Sequence, residues 1–129
     1  MNPHEEQFVK VFVNSARRER YLTFLKNPRH RHKLLDDLHH RIELDRRSAM
    51  LLKPAQQHAA AVQRLLVDKG APETAYLMSS FDEFDGKELG LADALNMVCG
   101  HGSTLVSCIP GRLAYFEYEN AGLRFLLSR

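Results

Sequence analysis

The chain has 129 residues, a formal net charge of +2 and two cysteines, with 44% hydrophobic and 26% charged residues. These values are typical of a globular protein, and they exclude a fibrous protein, a disordered chain and a small fold held together by several disulfide bonds. The apolar runs are far shorter than the ~20 residues that a membrane span requires, and the acidic N-terminus is unlike a signal peptide. We therefore expect a cytoplasmic protein with reduced thiols and no membrane partner.

The first 70 residues show helical periodicity. Apolar residues recur at helical spacing in three stretches that we predict to be helical, residues 5–26, 28–42 and 54–70. Asn27 and Pro28 suit the start of a helix, and Gly70 suits the end of one. The intervening segment, residues 43–53, has no clear period and is interpreted as a connection.

From residue 71 onward the periodicity becomes strand-like. We predict four strands, at residues 74–80, 104–109, 113–119 and 123–128, together with a short helix on which Leu91, Leu95 and Val98 share a face. Pro110-Gly111 fits the centre of a type II turn, and residues 120–122 are suited to a hairpin loop.

Helices followed by strands predict an α+β fold. We expect N-terminal helices to cover one face of a small mixed or antiparallel sheet of about four strands formed by the C-terminal half. Residues 1–50 carry a net charge of +4 and residues 51–129 a net charge of −2. Because these charges are opposite, we interpret 1–129 as a single domain with a helical part, 1–70, and a strand-rich part, 71–129.

Cys99, His101 and Ser107 are the candidate catalytic residues. A thiol near an imidazole is the minimal pair of nucleophile and base, and a site that also included Ser79 and Asp82 would suit a small hydrolase or transferase. However, Cys99 follows a predicted helix, and the negative end of the helix dipole disfavours a thiolate.

No metal or cofactor site is predicted. His32, Asp36 and His40 are spaced by four residues, but this spacing extends over two helical turns, so only adjacent members could bind one ion together. The acidic segment 82–88 lacks the spacing of a calcium-binding loop.

Basic residues cluster between positions 17 and 33, where Arg18 and Arg29 are candidate phosphate-binding residues. Acidic residues interrupt this positive field, and no known nucleic-acid-binding motif is present. Nucleic-acid binding is therefore an alternative hypothesis.

The predicted strand at 113–119 is rich in aromatic residues. Side chains alternate along a strand, so Tyr115 and Glu117 share one face while Phe116 and Tyr118 share the other. If the second face is buried, Tyr115 is placed to meet a helix, a partner or a ligand. The leading hypothesis is a non-enzymatic interaction or regulatory module that binds a protein partner, or itself as a homodimer, through the sheet.

Overall fold

The structure, a computed structural model, describes residues 1–120 and 122–129. The α-helices in this part of the chain are α1 (Pro3–Gln7), α2 (Arg18–Lys26), α3 (Arg31–His40), α4 (Ala59–Asp68) and α5 (Leu91–Val98). The strands are β1 (Ala49–Leu51), β2 (Thr74–Ser79), β3 (Glu88–Gly90), β4 (Thr104–Ile109), β5 (Leu113–Glu117) and β6 (Arg124–Ser128). The predicted loop at 120–122 includes Ala121, which lies outside the described residues.

The strands form one sheet in the order β1-β6-β5-β4-β2-β3, and every neighbouring pair is antiparallel. The predicted α+β class is therefore confirmed, and the sheet, expected to be mixed or antiparallel, is antiparallel with six strands instead of about four. The two additional strands, β1 and β3, have three residues each and lie at the edges. Three residues are too few to show the alternation that identifies a strand in sequence.

Helices cover both faces of the sheet, and the prediction that they cover one face is wrong. On the first face α1, α2 and α3 pack on the side chains of Tyr76, Met78, Leu105, Ala114, Phe116 and Leu127. On the second face α4 and α5 pack on Ala75, Leu77, Val106, Cys108, Leu113, Tyr115 and Leu126. The central strands are continuous hydrophobic runs in the sequence, so both of their faces are apolar. Such runs are typical of strands that are buried on both sides.

Asparagine side chains mark several of the helix starts. Asn2 Oδ1 accepts from the His4 N–H at 2.8 Å, and Asn27 Oδ1 accepts from the Arg29 N–H at 3.1 Å. Asn14 Oδ1 accepts from the Ala16 N–H at 2.9 Å, so the stretch 5–26 is divided into two helical parts.

The segment after α4 turns directly into β2. Gly70 has φ +98°, a conformation that favours glycine, and the Ala71 N–H donates to the Leu66 carbonyl at 3.0 Å. Within the described residues, no helix has both the length and the apolar character needed to cross a bilayer.

Candidate functional site

The candidate catalytic residues Cys99 and Ser107 lie on opposite faces of the sheet. Ser107 Oγ is hydrogen-bonded to His4 Nδ1 at 2.7 Å, on the face that α1 covers. Cys99 Sγ lies 3.9 Å from the hydroxyl of Tyr115, on the face that α5 covers. The ring of His101 packs edge-on against Phe84, with centroids 5.3 Å apart. The sheet therefore separates the thiol from the serine hydroxyl.

The environment of the two cysteines disfavours the thiolate form. Burial, and then the charge of Glu117, raise the pKa of Cys99 to about 11. Burial alone raises the pKa of Cys108 to about 12. Because the thiolate is the reactive form, neither thiol is activated for nucleophilic attack at neutral pH.

Tyr115 and Glu117 are completely buried. The Tyr115 hydroxyl donates to Glu117 Oε2 at 2.5 Å, and the N–H groups of Gly100 and Gly102 donate to Glu117 Oε1 at 3.1 and 2.9 Å. Arg124 Nε lies 3.9 Å from Glu117 Oε2. Tyr115 therefore meets a helix and the loop that follows α5, and its burial removes it from any outer binding surface.

The two candidate phosphate-binding arginines differ in their surroundings. Arg18 Nε donates to the Val13 carbonyl at 2.8 Å, and Arg18 Nη2 donates to Asp45 at 3.2 Å. Arg18 therefore links α2 to the segment before β1. Arg29 is exposed ahead of α3.

A second buried polar network joins α1, α3 and the turn after β2. Glu5 is 4% exposed and accepts from Arg31 Nη2 at 2.6 Å and from the Tyr76 hydroxyl. Arg31 also donates to Asp85 at 2.6 and 2.9 Å. The burial of Glu5 and its full set of partners indicate a structural role.

The edge of the sheet at β1 is exposed and apolar. Met50 is 47% exposed and Leu51 is 54% exposed, and Leu123, at the end of the neighbouring strand, is 44% exposed. A groove of about 900 Å³ adjoins this edge. It is lined by Asn14, Ser15, Ile42, Glu43, Leu44, Asp45, Arg46, Arg47, Ala49, Leu51, Tyr118 and Phe125.

Positive charge surrounds this edge. The Asp45 carboxylate lies 2.9 Å from Arg47, 3.2 Å from Arg18 and 3.6 Å from Arg129. The hydrogen bonds from Arg47 hold the pKa of Asp45 well below its usual range. One carboxylate therefore faces three guanidinium groups, and, with Arg46 and Glu43 also lining the groove, four positive groups stand against two negative ones at this end of the sheet.

His39, His40 and Glu119 form a further cluster, at the end of α3. Glu119 Oε1 lies 3.5 Å from His39 Nε2, and Glu119 Oε2 lies 3.3 Å from His40 Nδ1. Each of the three residues offers one atom that could bind a metal ion, and these three atoms all lie within 4.8 Å of one another. His39 Nδ1 is also hydrogen-bonded to Ser103 Oγ at 2.6 Å.

The spacing in the sequence grouped His40 with His32 and Asp36 as possible metal ligands. It did not indicate His39 or Glu119. The adjacent pair His39-His40 is the one signal in the sequence, since Glu119 is 79 positions from His40. Compared with protein-family models, with curated proteins and with solved structures, the chain matches none.

Proposed function

We propose that the protein is a cytoplasmic interaction module that binds an extended segment of a partner protein by adding a strand to β1. The observation that carries this proposal is an outermost strand with exposed apolar side chains, Met50 and Leu51. Strand addition of this kind obtains affinity from main-chain hydrogen bonds and specificity from side-chain contacts.

The edge formed by β1 has the properties of a docking strand. It pairs with β6 on one side, and on its other side no strand is present among the described residues. Natural proteins protect such an edge with charged residues in the strand, with bulges or covering segments, or by keeping the strand short; β1 is short, with three residues, but carries no charge. Here the strand is Ala49-Met50-Leu51, and the groove beside it can receive alternate side chains of an added strand.

The charges that flank β1 favour an acidic partner over a second copy of the chain. Arg46 and Arg47 precede the strand, Lys53 follows it, and all three are exposed. Antiparallel pairing of two copies centred on Met50 would place Arg47 opposite Lys53, and like charges that lie opposite each other are destabilising. An apolar segment with carboxylates at both ends would be complementary.

Selection of random nonapeptides displayed on phage against the immobilised chain would test this proposal. We expect enrichment of peptides with an apolar centre and acidic ends. A synthetic peptide of the consensus sequence should shift the amide resonances of residues 49–51. Leu51→Glu should weaken its binding at least tenfold, because a carboxylate would replace apolar contact area at the edge.

Val67→Glu is the matched control, since Val67 is 52% exposed on α4, outside the β1 edge. This variant should bind the peptide as the wild type does. The proposal fails if no peptide is enriched, or if Leu51→Glu and Val67→Glu bind the peptide equally. If sedimentation experiments show a dimer that Leu51→Glu abolishes, the partner that binds β1 is a second copy of the chain and not a peptide segment.

A further inference from the structure

The cluster of His39, His40 and Glu119 has the composition of a metal site. Two imidazoles and one carboxylate are ligands that zinc and similar divalent ions accept. The residues come from the last turn of α3 and from the segment after β5. The His40 and Glu119 side chains are 56% and 55% exposed, and that of His39 is 30% exposed. An ion can therefore reach the cluster from solvent.

The distances within the cluster are similar to those between the ligand atoms of one bound cation. Glu119 Oε2 lies 3.3 Å from His40 Nδ1, a long hydrogen bond, and Glu119 Oε1 lies 3.5 Å from His39 Nε2, whereas the usual N–H···O length is about 2.9 Å. A tetrahedral zinc ion with bonds of about 2.0–2.2 Å separates its ligand atoms by about 3.3–3.6 Å. The potential ligand atoms of the three residues all lie within 4.8 Å of one another, and the exposed side chain of His40 has room to adjust.

The hydrogen bond between His39 and Ser103 orients the first of these ligands. Ser103 is completely buried, so its hydroxyl holds His39 Nδ1 from inside the protein at 2.6 Å. When Nδ1 carries the proton and donates to Ser103, Nε2 keeps a lone pair, and this nitrogen lies 3.5 Å from the Glu119 carboxylate. Metal-binding histidines usually have such a partner on the other ring nitrogen.

The electrostatics of the site also favour a cation. His39 and His40 lie in the last turn of α3, where the carbonyl groups give the helix end a partial negative charge. The nearby guanidinium of Arg41 is paired with Asp37, its Nε lying 3.5 Å from Asp37 Oδ1. Glu119 supplies a carboxylate between the two imidazole rings.

We propose that His39 Nε2, His40 Nδ1 and the Glu119 carboxylate bind one Zn²⁺ ion. Three protein ligands leave at least one coordination position for water or an external ligand, so the site is open and differs from a closed structural zinc site. A hydrolytic triad of Ser103, His39 and Glu119 is not supported, because a completely buried serine hydroxyl has no access to substrate.

Calorimetric titration of the untagged chain with zinc chloride, in a buffer that does not bind metals, tests this proposal. We expect one ion per chain. His40→Ala and Glu119→Gln should each lower the affinity at least tenfold, since each removes one ligand. Ser103→Gly, which removes the hydroxyl and suits the φ of +52° at this position, should lower it roughly 10–100-fold.

His32→Ala and His58→Ala are the controls, because both residues are exposed histidines outside the cluster. They should retain wild-type affinity. Co²⁺ in place of Zn²⁺ should give the visible absorption of a tetrahedral ion, and that absorption should disappear in Glu119→Gln. The proposal is overturned if the wild type binds no zinc, or if His40→Ala and Glu119→Gln bind zinc as tightly as the wild type. Far-ultraviolet circular dichroism of each variant separates loss of a ligand from loss of the fold.

Discussion

Glu117 and Gly102 are joined by a buried hydrogen bond, in which the Gly102 N–H donates to Glu117 Oε1 at 2.9 Å. The same carboxylate also accepts from the Gly100 N–H and from the Tyr115 hydroxyl. A buried carboxylate is costly unless its oxygens are well supplied with donors and a counter-charge. Here it fixes the loop between α5 and β4, and this loop carries Ser103 to its contact with His39.

Replacing Glu117 with alanine should strongly destabilise the fold. The change leaves the Gly100 and Gly102 N–H groups and the Tyr115 hydroxyl without their buried acceptor, and we expect a loss of about 3–5 kcal/mol in the free energy of unfolding. Urea denaturation measures this loss. Glu119→Gln, two residues away on the exposed surface, should change the free energy by less than about 0.5 kcal/mol without zinc. Equal losses in the two variants would contradict the role given to Glu117.

Gly102 and Gly86 provide a matched comparison of backbone strain and steric contact. Their φ angles are +78° and +77°, but a Cβ at Gly102 would lie 2.6 Å from the Tyr118 carbonyl oxygen, whereas a Cβ at Gly86 would meet nothing within 4 Å. Gly86→Ala should cost about 1–2 kcal/mol, from the left-handed conformation alone. Gly102→Ala should lower the free energy of unfolding by clearly more, because the backbone at Tyr118 must also move. Thermal unfolding of both variants checks the order, and a larger loss in Gly86→Ala would contradict it.

His4 should make the stability of the protein depend on pH. Its ring stacks on Tyr76 with centroids 5.3 Å apart and is hydrogen-bonded to Ser107. Burial lowers the pKa of His4 below the ordinary value of 6.5, and Glu88 opposes this shift. The unfolded chain therefore binds a proton at this site more readily than the folded chain does. Stability is fully present above pH 6.5 and is lost as the pH falls through the lower pKa of the folded state.

The measurement for His4 is urea denaturation at several pH values between 5 and 8 in the wild type and in His4→Gln. The variant cannot titrate at this position, so its stability should fall less on acidification than that of the wild type. Comparing the two chains removes the contribution of the other six histidines. Parallel curves for the two proteins would show that His4 does not contribute.

The thiols of Cys99 and Cys108 should react slowly with iodoacetamide in the folded protein. The pKa of Cys99 is raised to about 11 and that of Cys108 to about 12, so the thiolate fraction at pH 7.5 is very small. Mass spectrometry should show alkylation at least tenfold slower than in urea-unfolded chain at the same pH. Rapid alkylation of Cys99 in the folded protein would revive the hypothesis of a cysteine nucleophile.

Local sequence patterns predicted much of the secondary structure of this protein. Alternation and helical spacing involve residues close together in the chain, so β2, β4, β5 and β6 could be located from sequence, as could the helices around them. Turn residues such as Pro110 and Gly111 act within four positions, which is why the turn between β4 and β5 could be located from the sequence as well.

The features that suggest function depend on contacts between distant parts of the chain. Periodicity could not show that β1 would pair with β6, because three residues carry no period and the partner strand is more than 70 positions away. Periodicity also could not show that Tyr115 and Glu117 would be buried beneath α5, or that the side chains of His39 and Glu119 would lie close together. The sequence by itself determined the α+β class and the types of the longer elements. Only tertiary packing decided which faces are covered, which edge is open and which polar side chains converge, since these depend on the free energy of burying the whole chain.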